Sequence, residues 1–125
     1  MDREVIYGQI LGKSSHYCVA LNKGTGEKHI TLDPIYRAYA ESFRQQCTKY
    51  RGRNINKPFL LYVHVWFRTN ASDLDGMLKT LLDELQAVGA ITNDNLCIGI
   101  MAVKHIDPQN PRVEFGIAET EPRLF

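Results

Sequence analysis

The chain has 125 residues, of which 44% are hydrophobic and 23% charged, and a formal net charge of +1. One domain spanning residues 1–125 is the expectation, with the composition of a globular protein rather than a disordered or fibrous one. The near-neutral balance does not by itself mark a nucleic-acid binder, and no apolar run reaches the ~20 residues that span a bilayer.

The N-terminal stretch MDREVIYGQI is acidic and lacks the apolar centre of a signal peptide, so a cytoplasmic location without membrane contact is expected. Its segment EVIYGQIL reads as a strand. HYCVALN and KGTGEKHITL follow as a hairpin, with Gly24 and Gly26 at the turn. The GTG is not a phosphate cradle, because a strand and not a helix N-terminus comes next. Asp33 before Pro34 is an N-cap followed by proline at the first helical position. Ile35, Tyr39, Phe43, Cys47 and Tyr50 then recur at helical spacing, predicting an amphipathic helix that ends near Tyr50, before the glycine of RGRN.

The stretch KYRGRNINK carries Lys49, Arg51, Arg53 and Lys57 with no acid among them. KPFLLYVHVWFR is apolar on both pleat faces, as a central strand covered on both sides would be. Within it His64 reads as a structural histidine. Leu74, Met77, Leu78, Leu81, Leu82, Leu85 and Val88 form one continuous helical stripe, and Gly89 suits the left-handed residue that stops it. LCIGIMAVKHI and RVEFGIAE complete the chain as strands joined by the turn-rich DPQNP. The order β-β-β-α-β-α-β-β defines an α+β fold: a single mixed or antiparallel sheet with two main helices packed on it. Cys18, Cys47 and Cys97 are isolated, which makes them small apolar residues and neither a disulfide framework nor a metal knuckle.

The acids concentrate around the second helix. Ser72 with Asp75 three residues on has the form of a capping box, and acids in a first turn favour the helix dipole. The apolar stripe also sets the phase of the helix, lining Asp75, Lys79 and Asp83 along one flank. Asp73 stands at the strand-to-helix junction, and Asp94 lies in the loop after the helix. Mg²⁺ takes one to three carboxylates together with water and substrate phosphate, and Asp73, Asp75 and Asp94 are the candidate set. Mn²⁺ suits the same oxygen donors. Lys13 and Arg68, with Lys49, Arg51, Arg53 and Lys57, are candidates for contacts to a phosphate backbone.

The segment DLDGMLKTLLDEL, followed after QAVGAI by TNDNLCIGI, resembles the RusA family of Holliday-junction resolvases, whose pattern is D-L-D-N-x-x-K-x-x-x-D-x-L and then an I-x-D-D loop before a strand. The similarity is close from Asp73 to Ile100 and looser elsewhere. It implies a RusA-like fold in which Asp73, Asp75 and Asp94 bind the catalytic metal and Lys79 is needed for cleavage. It also implies a homodimer that binds four-way DNA junctions and nicks two strands symmetrically. Gly76 stands where the family has asparagine, and Asn93 replaces the first of the two loop aspartates. In GKSSHY, which corresponds to a Ser-x-Asn loop of the family, His16 occupies the asparagine position. Two other readings remain open beside this one. One is a DNA-binding module of the same fold without cleavage; the other is a non-enzymatic interaction domain whose aspartates only cap and turn.

Overall fold

Phe59, Leu61, Val63, Val65 and Phe67 alternate along one strand and are all buried. This strand, β4 (Phe59–Phe67), is the centre of the fold in a computed structural model that describes residues 1–121. The last four residues of the expected 1–125 domain lie outside the described residues. The elements in chain order are β1 (Glu4–Tyr7), β2 (Tyr17–Leu21), β3 (Lys28–Leu32), α1 (Pro34–Gln46), β4, α2 (Leu74–Ala87), β5 (Cys97–Ile106) and β6 (Arg112–Glu119), with a 3₁₀ turn at Asp94–Leu96. The architecture is α+β, with two helices and a mixed four-stranded sheet in the order β1-β6-β4-β5. β5 runs parallel to β4, whereas β6 and then β1 are antiparallel to their neighbours. The link after β5 therefore crosses the end of β4 to reach β6 on its far side.

The expected single sheet is two. β2 and β3 pair only with each other and stand apart as a hairpin. Its turn is closed by Asn22, whose side-chain oxygen accepts from the Gly24 amide, while Gly26 adopts a φ of +75°. Tyr17, Val19, Leu21 and Ile30 are exposed on this hairpin, which contributes no layer to the core.

Both helices lie on the same side of β4. Tyr39 and Phe43 of α1 and Met77, Leu81 and Leu85 of α2 join the buried β4 residues, Ile6, Val113 and Phe115 in one hydrophobic cluster. The expectation that β4 is covered on both sides fails for this reason. On its other face Leu60, Tyr62 and Trp66 are half-buried and His64 is exposed. There the side chains shield one another. The Arg112 guanidinium sits 4.0 Å from the Trp66 ring centroid, and His105 stacks on the same ring at 4.6 Å.

α1 is shorter and rotated relative to expectation. Asp33 caps it, accepting from the Tyr36 amide at 2.8 Å. The buried stripe is Tyr36, Tyr39, Ala40 and Phe43, and Ile35 faces solvent. A strict spacing of four drifts around a helix of 3.6 residues per turn, so Ile35 and Cys47 do not share a face. The helix ends at Gln46. Tyr50 is buried from the following loop instead, its hydroxyl donating to the Asp2 carbonyl and accepting from the Ile117 amide. In α2 the stripe holds. Gly89, at φ +72°, donates to the Gln86 carbonyl while Ala90 donates to that of Leu85, the paired bonds of a Schellman stop.

Candidate functional site

β4 delivers the chain through residues 68–73 directly into the first turn of α2. The residue with cap geometry is Asp73, at φ −99° and ψ 140°, so Ser72 lies one place outside the helix and the expected capping box does not form. Lys104 from β5 donates to the Ser72 carbonyl at 2.5 Å and to that of Asn70 at 3.0 Å, holding this approach segment to the sheet. The Asp73 carboxylate makes no cap hydrogen bond. The chain has seven aspartates. Five are engaged: Asp2 by Arg53, Asp33 by His16, Asp83 by two lysines, Asp94 by Lys79 and Asp107 by Arg112. Among the described residues Asp73 and Asp75 alone have no side-chain partner, and both are exposed beside the positive end of the α2 dipole.

A loop from Gly12 to His16 folds over this turn. The buried Thr80 hydroxyl donates to the Leu11 carbonyl at 2.6 Å, and His16 Nδ1 lies 2.8 Å from the Asp33 carboxylate. Glycines meet where the loop crosses the helix. A methyl at Gly12 would stand 3.6 Å from the Gly76 backbone, in ordinary van der Waals contact with it. Between loop and helix lies a pocket of about 300 Å³ that includes Gly12, Ser14, Ser15, Ser72, Asp73 and Gly76 in its walls. The GKSS run is thus part of the site through its backbone and hydroxyls. Thr80, the residue that seats the loop, sits inside the apolar stripe and carries no sequence signal of that role.

One turn further along α2 the charges pair. Lys13 Nζ donates to Asp83 Oδ2 at 2.5 Å, and Lys79 Nζ donates to Asp83 Oδ1 at 3.1 Å. Lys79 also lies 3.6 Å from Asp94 Oδ2. Burial pushes the Asp83 carboxyl up, but the hydrogen bonds from the two lysines outweigh it and hold the group below its ordinary value. Burial likewise opposes the charge on Lys13, yet the bond to Asp83 raises its pKa overall. Lys79 is raised chiefly by its hydrogen bond to Asp83. Both ammonium groups therefore stay charged throughout the neutral range.

Asp94 stands at the other end of the helix from Asp73. Its amide donates at 3.2 Å to Oε1 of Gln86, a helix residue whose own Cα lies three turns, about 16 Å, beyond that of Asp75 along the axis. The long Lys79 side chain spans part of this distance. Among the described residues no three His, Cys, Asp or Glu side chains stand close enough to share a metal ion. The donor chemistry of Asp73 and Asp75 nevertheless fits a hard divalent cation: two unengaged carboxylates, with the remaining positions left to water and phosphate.

The candidate backbone-binding residues divide between the two ends of α2. Arg68 is exposed at the end of β4 next to the site, and its amide donates to Gln9 Oε1. Lys13 is engaged by Asp83. Lys49, Arg51, Arg53 and Lys57 lie at the far end, where the Gly52 and Asn54 amides donate to the carbonyls of Val88 and Gly89. Two of them fasten the N-terminus: Lys49 donates to the Arg3 carbonyl, and Arg53 pairs with Asp2 while stacking on Tyr50. Arg51 and Lys57 are exposed. His64 does not stand alone, since its Nδ1 is 2.8 Å from Nε2 of His105.

The fold and this site define a small α+β protein with an acidic helix N-terminus beneath a glycine- and serine-bearing loop. Comparison of the chain with protein-family models and with curated proteins finds no match. No helix among the described residues is long and apolar enough to cross a membrane.

Proposed function

We propose that the protein is a metal-dependent endodeoxyribonuclease that nicks branched DNA, with four-way junctions as its substrate and a homodimer as its working form. The observation that carries this reading is the pair of unengaged carboxylates at the start of α2, Asp73 and Asp75, with Asp73 in the wall of the pocket beneath the Gly12–His16 loop. Two exposed acids without partners repel each other and any phosphate, and a divalent cation reverses that. The motif that holds them is the one that resembles the RusA family.

Asp73 and Asp75 would hold Mg²⁺ or Mn²⁺, which when bound lowers the pKa of a coordinated water and neutralises charge on the phosphate. The chain's own groups supply the rest. Lys79, charged and largely exposed, stands one turn from Asp75 and offers an ammonium to a phosphate oxygen. Ser14 and Ser15 offer hydroxyl donors from the loop. Arg68 and Lys13 lie nearest the site for contacts to the flanking backbone. Asp83 keeps Lys13 and Lys79 oriented, which makes it a positioning residue.

A second reading is favoured by the Lys79–Asp94 contact. With Asp94 neutralised by a lysine, the same surface serves as a junction-binding module without cleavage. Nicking of a synthetic four-way junction with and without Mg²⁺ separates the two, with Asp75→Asn as the control. Mg²⁺-dependent nicking that the substitution abolishes is the expected result. Equal nicking by both proteins would sink the assignment of Asp75. Tight binding without a cut supports the module, and no binding at all leaves a non-enzymatic interaction domain.

A further inference from the structure

The face of the sheet away from both helices carries a row of rings. In the pairing of β4 with β5, Trp66 stands opposite His105 and His64 opposite Val103, so all four side chains share this face. His64 is exposed and His105 half-buried. Nδ1 of His64 lies 2.8 Å from Nε2 of His105, with the ring centroids 5.1 Å apart and the ring planes within 23° of each other. The two are 41 residues apart in sequence, so strand register alone sets them side by side. Among the described residues, neither ring's other nitrogen hydrogen-bonds to protein. The neighbouring charges are matched: Glu114, opposite His64 on β6, lies 3.7 Å from Arg3, and Arg112 donates to Asp107 at 3.0 Å.

We propose that His64 and His105 form a two-histidine site for a borderline divalent transition ion of the Cu²⁺ and Ni²⁺ class. Imidazole nitrogen suits these ions and Zn²⁺, whereas Mg²⁺ takes oxygen, so the site is chemically separate from the acidic start of α2. Geometry selects within the class. At a metal–nitrogen distance of about 2.05 Å, two nitrogens 2.8 Å apart subtend about 86° at the ion. That is close to the cis angle of a square-planar or tetragonal centre and well short of a tetrahedral one, which favours Cu²⁺ or Ni²⁺ over Zn²⁺. The remaining positions go to water. One N–H joins the two rings, so the donor ring must carry its proton on its free nitrogen before both lone pairs can face the ion. This is a tautomer change with no net loss of a proton. Rotation about χ2, a broad torsion in histidine, turns the two lone pairs from each other towards the ion. Bound there, the ion would clamp β4 to β5 on the solvent side. It would also stand beside Trp66, whose ring centroid is 4.6 Å from that of His105 and 5.9 Å from that of His64.

Trp66 is the chain's one tryptophan, so its fluorescence reports on this site. Ni²⁺ is the probe, because copper also takes thiol ligands and Cys18 and Cys97 are only partly buried. The titration is run in excess Mg²⁺, with circular dichroism as the control for folding. Saturable quenching with one ion per chain is expected. His64→Gln and His105→Gln each remove one of the two protein ligands. Each should weaken binding by about tenfold or more, since losing even an outer-shell partner of a metal costs that much. Asp75→Asn should leave the affinity unchanged, which keeps the result independent of the nicking assay. Imidazole NMR signals of the unsubstituted protein give a second readout that needs no variant: paramagnetic Ni²⁺ broadens those of His64 and His105 before those of His16 and His29. An absence of saturable quenching would overturn the proposal. So would unchanged affinity in both histidine variants, loss of binding with Asp75→Asn, or broadening led by His16 or His29.

Discussion

Asp83→Asn isolates the charge that organises the lysines of the site. Asn is nearly isosteric with Asp and keeps a neutral acceptor, so the substitution removes charge without opening a cavity. Lys13 and Asp83 both retain only about a quarter or less of their side-chain exposure, at 25% and 21%. A charge-assisted hydrogen bond in that setting contributes about 1.5 kcal/mol or more. Lys79 is 62% exposed, and its pair with Asp83 is screened to about 0.5 kcal/mol or less. Allowing for the neutral bond that Asn retains, the expected loss is about 1–2 kcal/mol at pH 7. Because the Asp83 carboxyl is held below its ordinary 3.8, its contribution is present above that pH and fades as pH falls through the lower folded-state value. Urea unfolding followed by circular dichroism, run on both proteins from pH 7 down to about 3, measures the difference directly. The reasoning fails if the two proteins differ by less than about 0.5 kcal/mol at pH 7, or if the difference persists undiminished at the acid end.

Arg44 donates to both oxygens of Glu84, whose side chain is 4% exposed between the helices. Arg44→Ala leaves that carboxylate unpaired and is expected to cost about 2–3 kcal/mol, less than a fully buried pair because Arg44 itself is half-exposed. Adding Glu84→Leu should recover most of the loss in denaturant unfolding, since neither partner is then left unpaired. The Tyr39 hydroxyl is buried without a hydrogen-bond partner, so Tyr39→Phe should raise the unfolding free energy by up to about 1 kcal/mol; a loss would mean that the hydroxyl has an acceptor. Burial pushes the Cys47 thiol up to about 12. At pH 8 a thiol reagent should therefore reach Cys47 only after denaturant unfolds the protein, and rapid native labelling mapped to this residue would contradict its burial.

Much of the framework is legible in the residue order, because local periodicity carries it. The α2 stripe and its glycine stop, the hairpin around Gly24 and Gly26, and the alternation of β4 each need only neighbours along the chain. The acidic helix start is legible for the same reason. Its capping is not: a shift of one residue moved the cap from Ser72 to Asp73, and local sequence does not distinguish the two. The phase of α1 also escaped the pattern, since Ile35 and Tyr36 are both plausible core residues until Asp33 sets the helix start. Tertiary structure decided the rest. Tyr62, His64 and Trp66 suit a buried face by composition, but both helices settled on the other side, leaving a row of rings to cover itself. The relation of Asp94 to Asp75 was equally invisible. α2 returns along the sheet, and β5 starts level with the beginning of β4, so the loop before β5 lies at the far end of the helix from Asp73. Spacing along a chain measures contour length. Where two carboxylates stand in space depends on which way the intervening helix runs, and packing alone settles that.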